Sequence, residues 1–235
     1  MFEKRSLKLE RIDTGDYTPA EYARFLREIA SINRMTGDLR TLKKTLFREI
    51  ARENLSEFSV LDVGAGSGEM LRYIASFARR TGRKAALAGI ELNEASAAAI
   101  LQGSREFQEI SGIRGDALKM PFADGAFDYA ICSLFTHHLP DEIAVEVLRE
   151  MARVSRRGIF VIDLHRHPTA HTLYRLFCAV FRISPLVRED GLLSIRRSFK
   201  PGELNELAKN AGLQNASVER HFIYRLVLRA RPQVP

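Results

Sequence analysis

The chain has 235 residues, enough for one α/β domain with added segments and too few for two domains of usual size. Its formal charge is +7, but the basic residues are scattered, which indicates solvated helix faces rather than a surface for nucleic acid. Cys132 and Cys178 lie in apolar stretches, so we expect a reducing cytoplasm and no disulfide framework. Neither a secretion signal nor an apolar run of about 18 residues is present, so we expect no transmembrane segment.

Residues 1–54 are predicted to form an N-terminal arm and a helical cap ahead of the main domain. The first helix is expected to begin after Thr18, a capping residue that is followed by Pro19 at the first helical position. Gly37 interrupts the helical spacing, which then resumes and continues to about Asn54. A helical pair is therefore expected before the main domain.

Apolar strands alternate with amphipathic helices from residue 58 onward. Strands are predicted in FSVLDV, KAALAGIEL, EISGIRGDA, AFDYAICSLF and RGIFVIDL. Such alternation predicts parallel pairing through right-handed crossovers, with helices on both faces of the sheet. After Leu164 the pattern predicts further helices, and the chain ends in two alternating runs that favour an antiparallel hairpin. We expect an α/β, doubly wound, mostly parallel seven-stranded sheet over residues 55–235, with a helical insertion over about 166–200 after the fifth strand.

The stretch SVLDVGAGSGEM places Gly64, Gly66 and Gly68 between a strand and a helix. Ligands of open parallel sheets bind at the carboxyl ends of the strands. The lack of side chains lets a ligand approach the backbone N–H groups, and a helix N-terminus favours an anionic group. The dinucleotide motif G-x-G-x-x-G would need a glycine at the position of Glu69. The loop is therefore predicted to bind a ligand other than a dinucleotide.

Over residues 58–164 this sequence resembles the class I S-adenosylmethionine-dependent methyltransferases. Their first motif reads like VLDVGAGSG, an acidic residue such as Glu91 in GIELN ends their second strand, and GDALKMPFADGAFDYAICSLFTHHL has the spacing of their next two strand ends. The resemblance implies a Rossmann-like methyltransferase fold, S-adenosyl-L-methionine as cofactor and S-adenosyl-L-homocysteine as product.

The resemblance also implies which residues hold the cofactor. Glu91 would bind the ribose hydroxyls, since a carboxylate offers two acceptors to a diol. Asp116 would accept from the adenine amino group, and the Ala117 N–H would reach a ring nitrogen. Asp62 would organise the glycine loop through backbone N–H groups. The complete predicted set is Asp62, Gly64, Ala65, Gly66, Gly68, Glu91, Leu92, Asp116, Ala117 and Ser133. Any one acid alone would be read as a solvated loop residue or an odd buried carboxylate, so the ordered set carries the prediction.

Histidines near predicted strand ends are candidate general bases. Histidine titrates near neutral pH and would suit a phenol or enol acceptor. His137 and His165 are the preferred catalytic candidates, because both are expected to face the cleft from strand ends. The alternative interpretation of His138 is packing at a helix start, and that of His171 is an exposed helix position. No Cys/His set has zinc spacing, so no metal is expected.

The acceptor side is expected to involve the N-terminal region and the insertion. The helix in HTLYRLFCAVFRI is apolar on more than one face, which fits core packing, a homodimer contact or a lid over an apolar acceptor. Aromatic residues of the N-terminal region add candidate contacts: Phe2, Tyr17, Tyr22, Phe25 and Phe47.

The stretches INRMTGDLRTL, SLFTHHL, DLHRHP and GLLSIRRSFKPGELNELAKNAG are together similar to bacterial ubiquinone/menaquinone-type and polyketide-associated methyltransferases. This second resemblance implies a small aromatic, quinone-like or polyketide acceptor, with O- and C-methylation both open. An RNA methyltransferase is an alternative that the +7 charge suggests. However, CSLFTHH lacks the Asn/Asp-Pro-Pro-aromatic loop of amino-group methylases, and no nucleic acid is expected as partner. A non-catalytic binding subunit is a further alternative, although such proteins typically lose the cofactor residues that stand here.

Overall fold

The structure is a computed structural model that describes residues 2–232. Within it, the N-terminal helices precede the sheet. They are α1 (Arg11–Thr14), α2 (Pro19–Met35), α3 (Asp38–Lys44) and α4 (Leu46–Arg52). Thr18 caps α2 as predicted, because its hydroxyl accepts the Glu21 N–H while the Glu21 carboxylate accepts the Thr18 N–H. The helix predicted to follow Gly37 is two helices, since the backbone leaves helical geometry at Thr45 (φ −115°, ψ −93°).

The sheet has the predicted doubly wound form, with strand order β3-β2-β1-β4-β5-β7-β6. The strands are β1 (Glu57–Val63), β2 (Lys84–Glu91), β3 (Ile110–Arg114), β4 (Phe127–Ser133), β5 (Ser155–Leu164), β6 (Gln214–His221) and β7 (Arg225–Arg231). The first five are parallel, and β7 runs antiparallel to both β5 and β6. Strand order reverses between β1 and β4, and this reversal opens a crevice at their carboxyl ends.

Helices cover both faces of the sheet. They are α5 (Glu69–Arg80), α6 (Glu94–Gly103), α7 (Asp141–Val154) and α10 (Pro201–Asn210), whereas α8 (Pro168–Val180) and α9 (Pro185–Arg197) pack on each other beside the sheet. The predicted insertion therefore holds both α8 and α9. Of these, α9 is the one that the sequence pattern does not single out, since Gly191 and two acidic residues interrupt its apolar spacing. Every helix within residues 2–232 is too short or too polar to span a lipid bilayer.

Two apolar layers form the core, one on each face of the sheet. Leu61 and Val63 pack in one layer with α7 and α10, whereas Val60 packs in the other with α4 and α5. This alternation follows from the two-residue repeat of a strand. Phe47 belongs to the second layer, where its ring stacks on Phe77 with centroids 4.1 Å apart. Phe47 is therefore a packing residue rather than an acceptor contact.

Buried arginines attach the N-terminal region to the sheet domain. Arg225 of β7 donates to Asp38 (3.0 Å) and to the Thr36 hydroxyl (2.8 Å). Arg166, which follows β5, is almost fully buried and donates to the carbonyls of Phe2 and Glu3. These hydrogen bonds offset part of the cost of burying the two charges. These contacts fix the N-terminal region beside the carboxyl ends of the strands.

Candidate active site

A cavity of about 380 Å³ lies at the carboxyl ends of β1, β2 and β4. One end is formed by the glycine loop after β1 together with Asp62 and Glu91, and we call it the glycine end. The other is formed by α9 together with Glu10, Ile12, Asp13, His137 and His138, and we call it the histidine end. The inner face of α2 closes the cavity between them.

The glycine loop depends on backbone conformations that favour glycine. Gly64, Gly66 and Gly68 have φ values of 68°, 54° and 78°, in the left-handed region. A Cβ on Gly64 would lie 2.6 Å from the Phe135 ring, whereas a Cβ on Gly66 would meet no heavy atom within 4 Å. Gly64 therefore allows the loop after β4 to approach, while Gly66 leaves the backbone open to the cavity.

Two carboxyl groups lie at the glycine end. Both carboxylate oxygens of Asp62 are buried and have no hydrogen-bond partner among residues 2–232. Burial raises the pKa of Asp62 well above its usual value, and the Glu91 charge raises it further. Glu91 accepts the Gly66 N–H at 2.9 Å, and burial raises its pKa as well. The expectation that Asp62 holds the loop through backbone N–H groups is thus wrong, because Glu91 makes that contact.

The other predicted cofactor residues divide into two groups. Ala65 and Ser133 line the cavity, whereas Gly68 caps α5 beside it. Leu92, Asp116 and Ala117 lie outside the cavity but at the same end of the sheet. Leu92 is 68 % exposed, and the exposed Asp116 accepts the Leu118 N–H at 2.9 Å. The Gly115 N–H bonds to the Glu91 carbonyl (2.9 Å), which brings this segment next to the end of β2.

His137 is buried at the histidine end and is held by Asp163 of β5. Its ring Nδ1 lies 2.6 Å from one Asp163 oxygen, and its backbone N–H donates to the other at 3.0 Å. Burial would raise the pKa of Asp163, but the His137 charge and the hydrogen bonds outweigh this effect and lower that pKa. Asp163 is therefore ionised and fixes the orientation of the His137 ring.

Sequence reasoning missed Asp163, although a signal was present. It is the one acidic residue in the otherwise apolar second half of its strand, RGIFVIDL. A buried carboxylate requires hydrogen-bond partners, so its position predicts a polar group nearby.

His138 and the N-terminal arm complete this end. The His138 Nδ1 lies 2.7 Å from Asp13. Arg197 of α9 pairs with Asp13 and donates to the carbonyls of both His137 and His138. The loop after β4 is therefore connected to residues far from it in sequence.

Glu10 is the most buried acid of the arm, with 2 % of its surface exposed. One carboxylate oxygen accepts the Ser194 hydroxyl at 2.9 Å, while Oε1 finds no hydrogen-bond donor in the described chain. Burial raises the pKa of Glu10 to about 7. The arm is attached to α9 by Asp190, whose carboxylate accepts the N–H groups of Arg11 and Ile12, both at 3.0 Å. Glu10, Ile12 and Asp13, which the sequence pattern assigns only to an N-terminal arm, thus form part of the cavity wall.

The structure does not bring His165 into this cavity. Leu164 lines it, and because side chains alternate in an extended chain, the next residue points away. His165 and His167 instead line a separate cavity together with Phe2, and the His171 ring lies 5.5 Å from that phenylalanine. The expectation that His165 faces the cleft is wrong.

Apolar and aromatic side chains line the cavity between its two ends. Tyr17, Tyr22 and Phe25 form a stacked row with centroids 4.9 and 6.4 Å apart. A lid over the acceptor was one expectation for α8, but α8 contributes only Tyr174 to the described lining. The neighbouring helix α9 contributes several lining residues. The outer face of α8 is exposed instead. Apolar and aromatic side chains thus form much of the cavity wall, together with polar side chains such as Asn33 and Glu69.

Residues 60–158 match the family model described as methyltransferase domain. A demethylmenaquinone methyltransferase of Bacillus licheniformis is 30 % identical over 170 residues, which cover 67 % of this chain and 71 % of the relative. The demethylmenaquinone methyltransferase of Anoxybacillus flavithermus is 32 % identical over 128 residues, 49 % of this chain and 53 % of the relative. The match therefore spans about half the length of this second relative.

Solved structures share the fold at low sequence identity. A SAM dependent methyltransferase from Aquifex aeolicus superposes with a TM-score of 0.63 at 17 % identity, covering 91 % of this chain and 98 % of the other. Human N-acetylserotonin methyltransferase in complex with SAM gives a TM-score of 0.66 at 18 % identity, covering 92 % and 57 %. These two similarities extend beyond the matched domain to the N-terminal region and the insertion.

Proposed function

Since this chain belongs to the class I S-adenosylmethionine-dependent methyltransferases, we propose that it methylates a small aromatic acceptor of the phenol or quinol type. S-adenosylmethionine is its methyl donor. The methyl group goes to a phenolic oxygen or to the adjacent ring carbon, because ionising a phenol makes both positions nucleophilic. The demethylmenaquinone methyltransferase relatives support an acceptor of this class.

The residues at the glycine end suit the cofactor. The unpartnered carboxylate of Asp62 suits a cationic ammonium group, and the Glu91 carboxylate suits the ribose hydroxyls. Asp116 and Ala117, outside the cavity at the same sheet end, are proposed to contact the adenine. When bound, the cofactor supplies an electrophilic methyl group on a sulfonium.

One observation carries the proposal: a single cavity connects the glycine end with His137 and passes a row of aromatic side chains. Donor and acceptor held in this cavity would meet without crossing solvent. Holding two reactants in a fixed arrangement can supply much of the rate enhancement of a transfer reaction. The aromatic row offers stacking surfaces for a planar acceptor.

His137 is the group placed to activate the acceptor. A neutral phenol is a poor nucleophile, so its hydroxyl must ionise before or during transfer. Asp163 occupies the Nδ1 side of the His137 ring, which leaves the Nε2 side for ligands. His137 thus lowers the cost of ionising the acceptor, while Asp163 is a positioning residue.

The test measures transfer from S-adenosylmethionine with a radiolabelled methyl group to a panel of phenols and hydroquinones that includes a demethylmenaquinol analogue. We expect methylation of at least one panel member, and a loss of roughly 100-fold or more in kcat for His137→Ala. Binding of S-adenosylhomocysteine to that variant should stay unchanged. If RNA became labelled and no phenol or hydroquinone of the panel did, the proposal would be contradicted.

A further inference from the structure

We propose that Glu10, His137 and His138 form a binding site for a divalent metal ion, with zinc as the expected occupant, at the histidine end of the cavity. One ligand atom from each residue lies within 4.8 Å of the other two. Two imidazole nitrogens and one carboxylate oxygen are donors that zinc accepts, and three protein ligands leave a position open for a further group. The inference rests on the proposed function, because the ion would lie where the acceptor is activated.

One ring nitrogen of each histidine is held by a carboxylate, as is common for metal-binding histidines. The Nδ1 atom of His137 is held by Asp163 at 2.6 Å, and that of His138 by Asp13 at 2.7 Å. The second ring nitrogen of each makes no hydrogen bond with any described residue. Metal-binding histidines typically donate one ring N–H to a carboxylate, which fixes the tautomer and raises the basicity of the other nitrogen.

The carboxylate of Glu10 supplies the independent observation. Its Oε1 atom is buried and accepts no hydrogen bond within residues 2–232, and the His138 Nδ1 atom lies 3.9 Å from it. The Arg197 Nε lies 3.8 Å away, beyond hydrogen-bond distance, and its guanidinium donates instead to Asp13 and to two backbone carbonyls. A buried carboxylate oxygen without a donor is costly, and a bound cation would remove that cost.

The charges around the site also favour a divalent cation. Glu10, Asp13, Asp163 and Asp190 carry four formal negative charges when ionised, and Arg5 and Arg197 carry two positive charges. The group therefore has a formal charge of −2, which one divalent ion neutralises. A monovalent ion would leave a net charge in a largely buried place.

A bound cation would specify how the acceptor is activated. The acceptor hydroxyl would occupy the open coordination position, where a cation lowers its pKa so that the proton passes to water. The oxygen lone pair, or the adjacent ring carbon, then forms the bond to the methyl carbon. After transfer to carbon, the hydrogen on that carbon leaves as a proton to water, and the oxygen regains a proton from water. The electron pair of the broken carbon–sulfur bond stays on sulfur. In this form His137 is a metal ligand rather than the direct proton acceptor.

Zinc binding is tested with the whole protein after chelator treatment and dialysis. Titration with zinc chloride by calorimetry, with metal content by mass spectrometry, should give one zinc ion per chain. We expect Glu10→Gln and His138→Ala to weaken zinc binding by about 100-fold, and Asp13→Asn by roughly tenfold. His171→Ala is the control for zinc binding at other histidines and should bind as the wild type does. Binding of S-adenosylhomocysteine and a cooperative thermal transition verify that each variant is folded.

Substoichiometric zinc in the wild type, or wild-type affinity in both Glu10→Gln and His138→Ala, would overturn the metal site. Methyl transfer is measured separately in chelated and zinc-loaded protein, and we expect at least tenfold faster transfer with zinc. Equal transfer in both forms would overturn the role of the metal but leave the proposed function standing. Zinc binding without transfer to any panel member would instead contradict the proposed acceptor.

Discussion

The two ends of the cavity are assembled in different ways. The glycine end comes from one loop and the end of the neighbouring strand, with Asp62, Gly64 and Glu91 less than one βαβ unit apart. The histidine end is assembled from Glu10 and His137, which are separated by about half of the chain, and from α9. The first is built by the sheet itself, whereas the second also needs the N-terminal arm to dock on the insertion.

Because the two ends are assembled differently, we expect substitutions at each end to have different effects. The glycine end is fixed by the parallel ladder, so a change there should affect folding as well as cofactor binding. The histidine end is held by side-chain hydrogen bonds such as those of Asp190 and Arg197. A substitution there should weaken binding or activation of the acceptor, while the sheet and the cofactor-binding residues stay intact.

The largest expected effect is that of Gly64→Ala. The new Cβ would lie 2.6 Å from the Phe135 ring, at a backbone φ of 68°. Overpacking and left-handed strain together should lower the free energy of unfolding by about 2–4 kcal/mol in urea denaturation. Gly66→Ala is the matched control, because its Cβ meets no atom within 4 Å, and should cost about 1 kcal/mol. Equal losses would mean that the close approach of Phe135 is unimportant.

Asp163→Asn should come next, with an effect on activity. The amide keeps the shape but no longer holds His137 through an ionised carboxylate, so kcat should fall roughly 10- to 100-fold. The affinity for S-adenosylhomocysteine should not change. Asp124→Asn, an exposed partner of Arg153, is the control and should retain full activity. A parallel loss of cofactor affinity would show that the two ends are coupled.

Asp62→Asn tests whether the buried Asp62 carboxyl group at the glycine end makes the stability of the protein depend on pH. The raised pKa means that the folded protein keeps a proton that the unfolded chain releases above its usual pKa of 3.8. The stability of the cofactor-free wild type should therefore fall as pH rises from about 4 towards the folded-state pKa. The variant has no titrating group at this position and so lacks this pH-dependent loss. The difference in free energy of unfolding, variant minus wild type, should therefore increase by more than about 1 kcal/mol between pH 4 and 8 in denaturant titrations. A constant difference across that range would contradict an unpartnered Asp62.

Asp190→Asn should give the smallest effect. Replacing a charged acceptor by an amide weakens two hydrogen bonds to the arm by about 1 kcal/mol in total. Amide hydrogen exchange of Arg11 and Ile12 should therefore accelerate by several-fold, with exchange in β1 and β4 unchanged. Acceleration throughout the sheet would show that the arm supports the fold as a whole.

The sequence predicted the fold and the position of the glycine end because both depend on local patterns. Strand–helix alternation determines parallel pairing, and parallel pairing places Gly64, Glu91 and Ser133 at one edge. Phe47 and His165 show the limit: their residue types suited a site, but packing and strand alternation placed them elsewhere.

The histidine end could be predicted only in part. His137 was identified because it follows a strand end, but Glu10 and Asp13 gave no signal, since nothing in their neighbourhood indicates burial. Their position depends on Asp190 and Arg197, which lie in a helix without a clear apolar repeat. Contacts between segments so distant in sequence have no local signature.

Cofactor binding at the glycine end is tested most directly by calorimetry, which compares S-adenosylhomocysteine binding to Glu91→Ala and to His137→Ala under identical conditions. Loss of the Glu91 carboxylate removes charged hydrogen bonds of about 1.5–3 kcal/mol, so Kd should rise roughly 10- to 100-fold. His137→Ala should change Kd by less than about twofold, since His137 is held by Asp163 of β5, whereas Asp62 and Glu91 belong to β1 and β2. A larger loss for His137→Ala than for Glu91→Ala would contradict the assignment of the two ends.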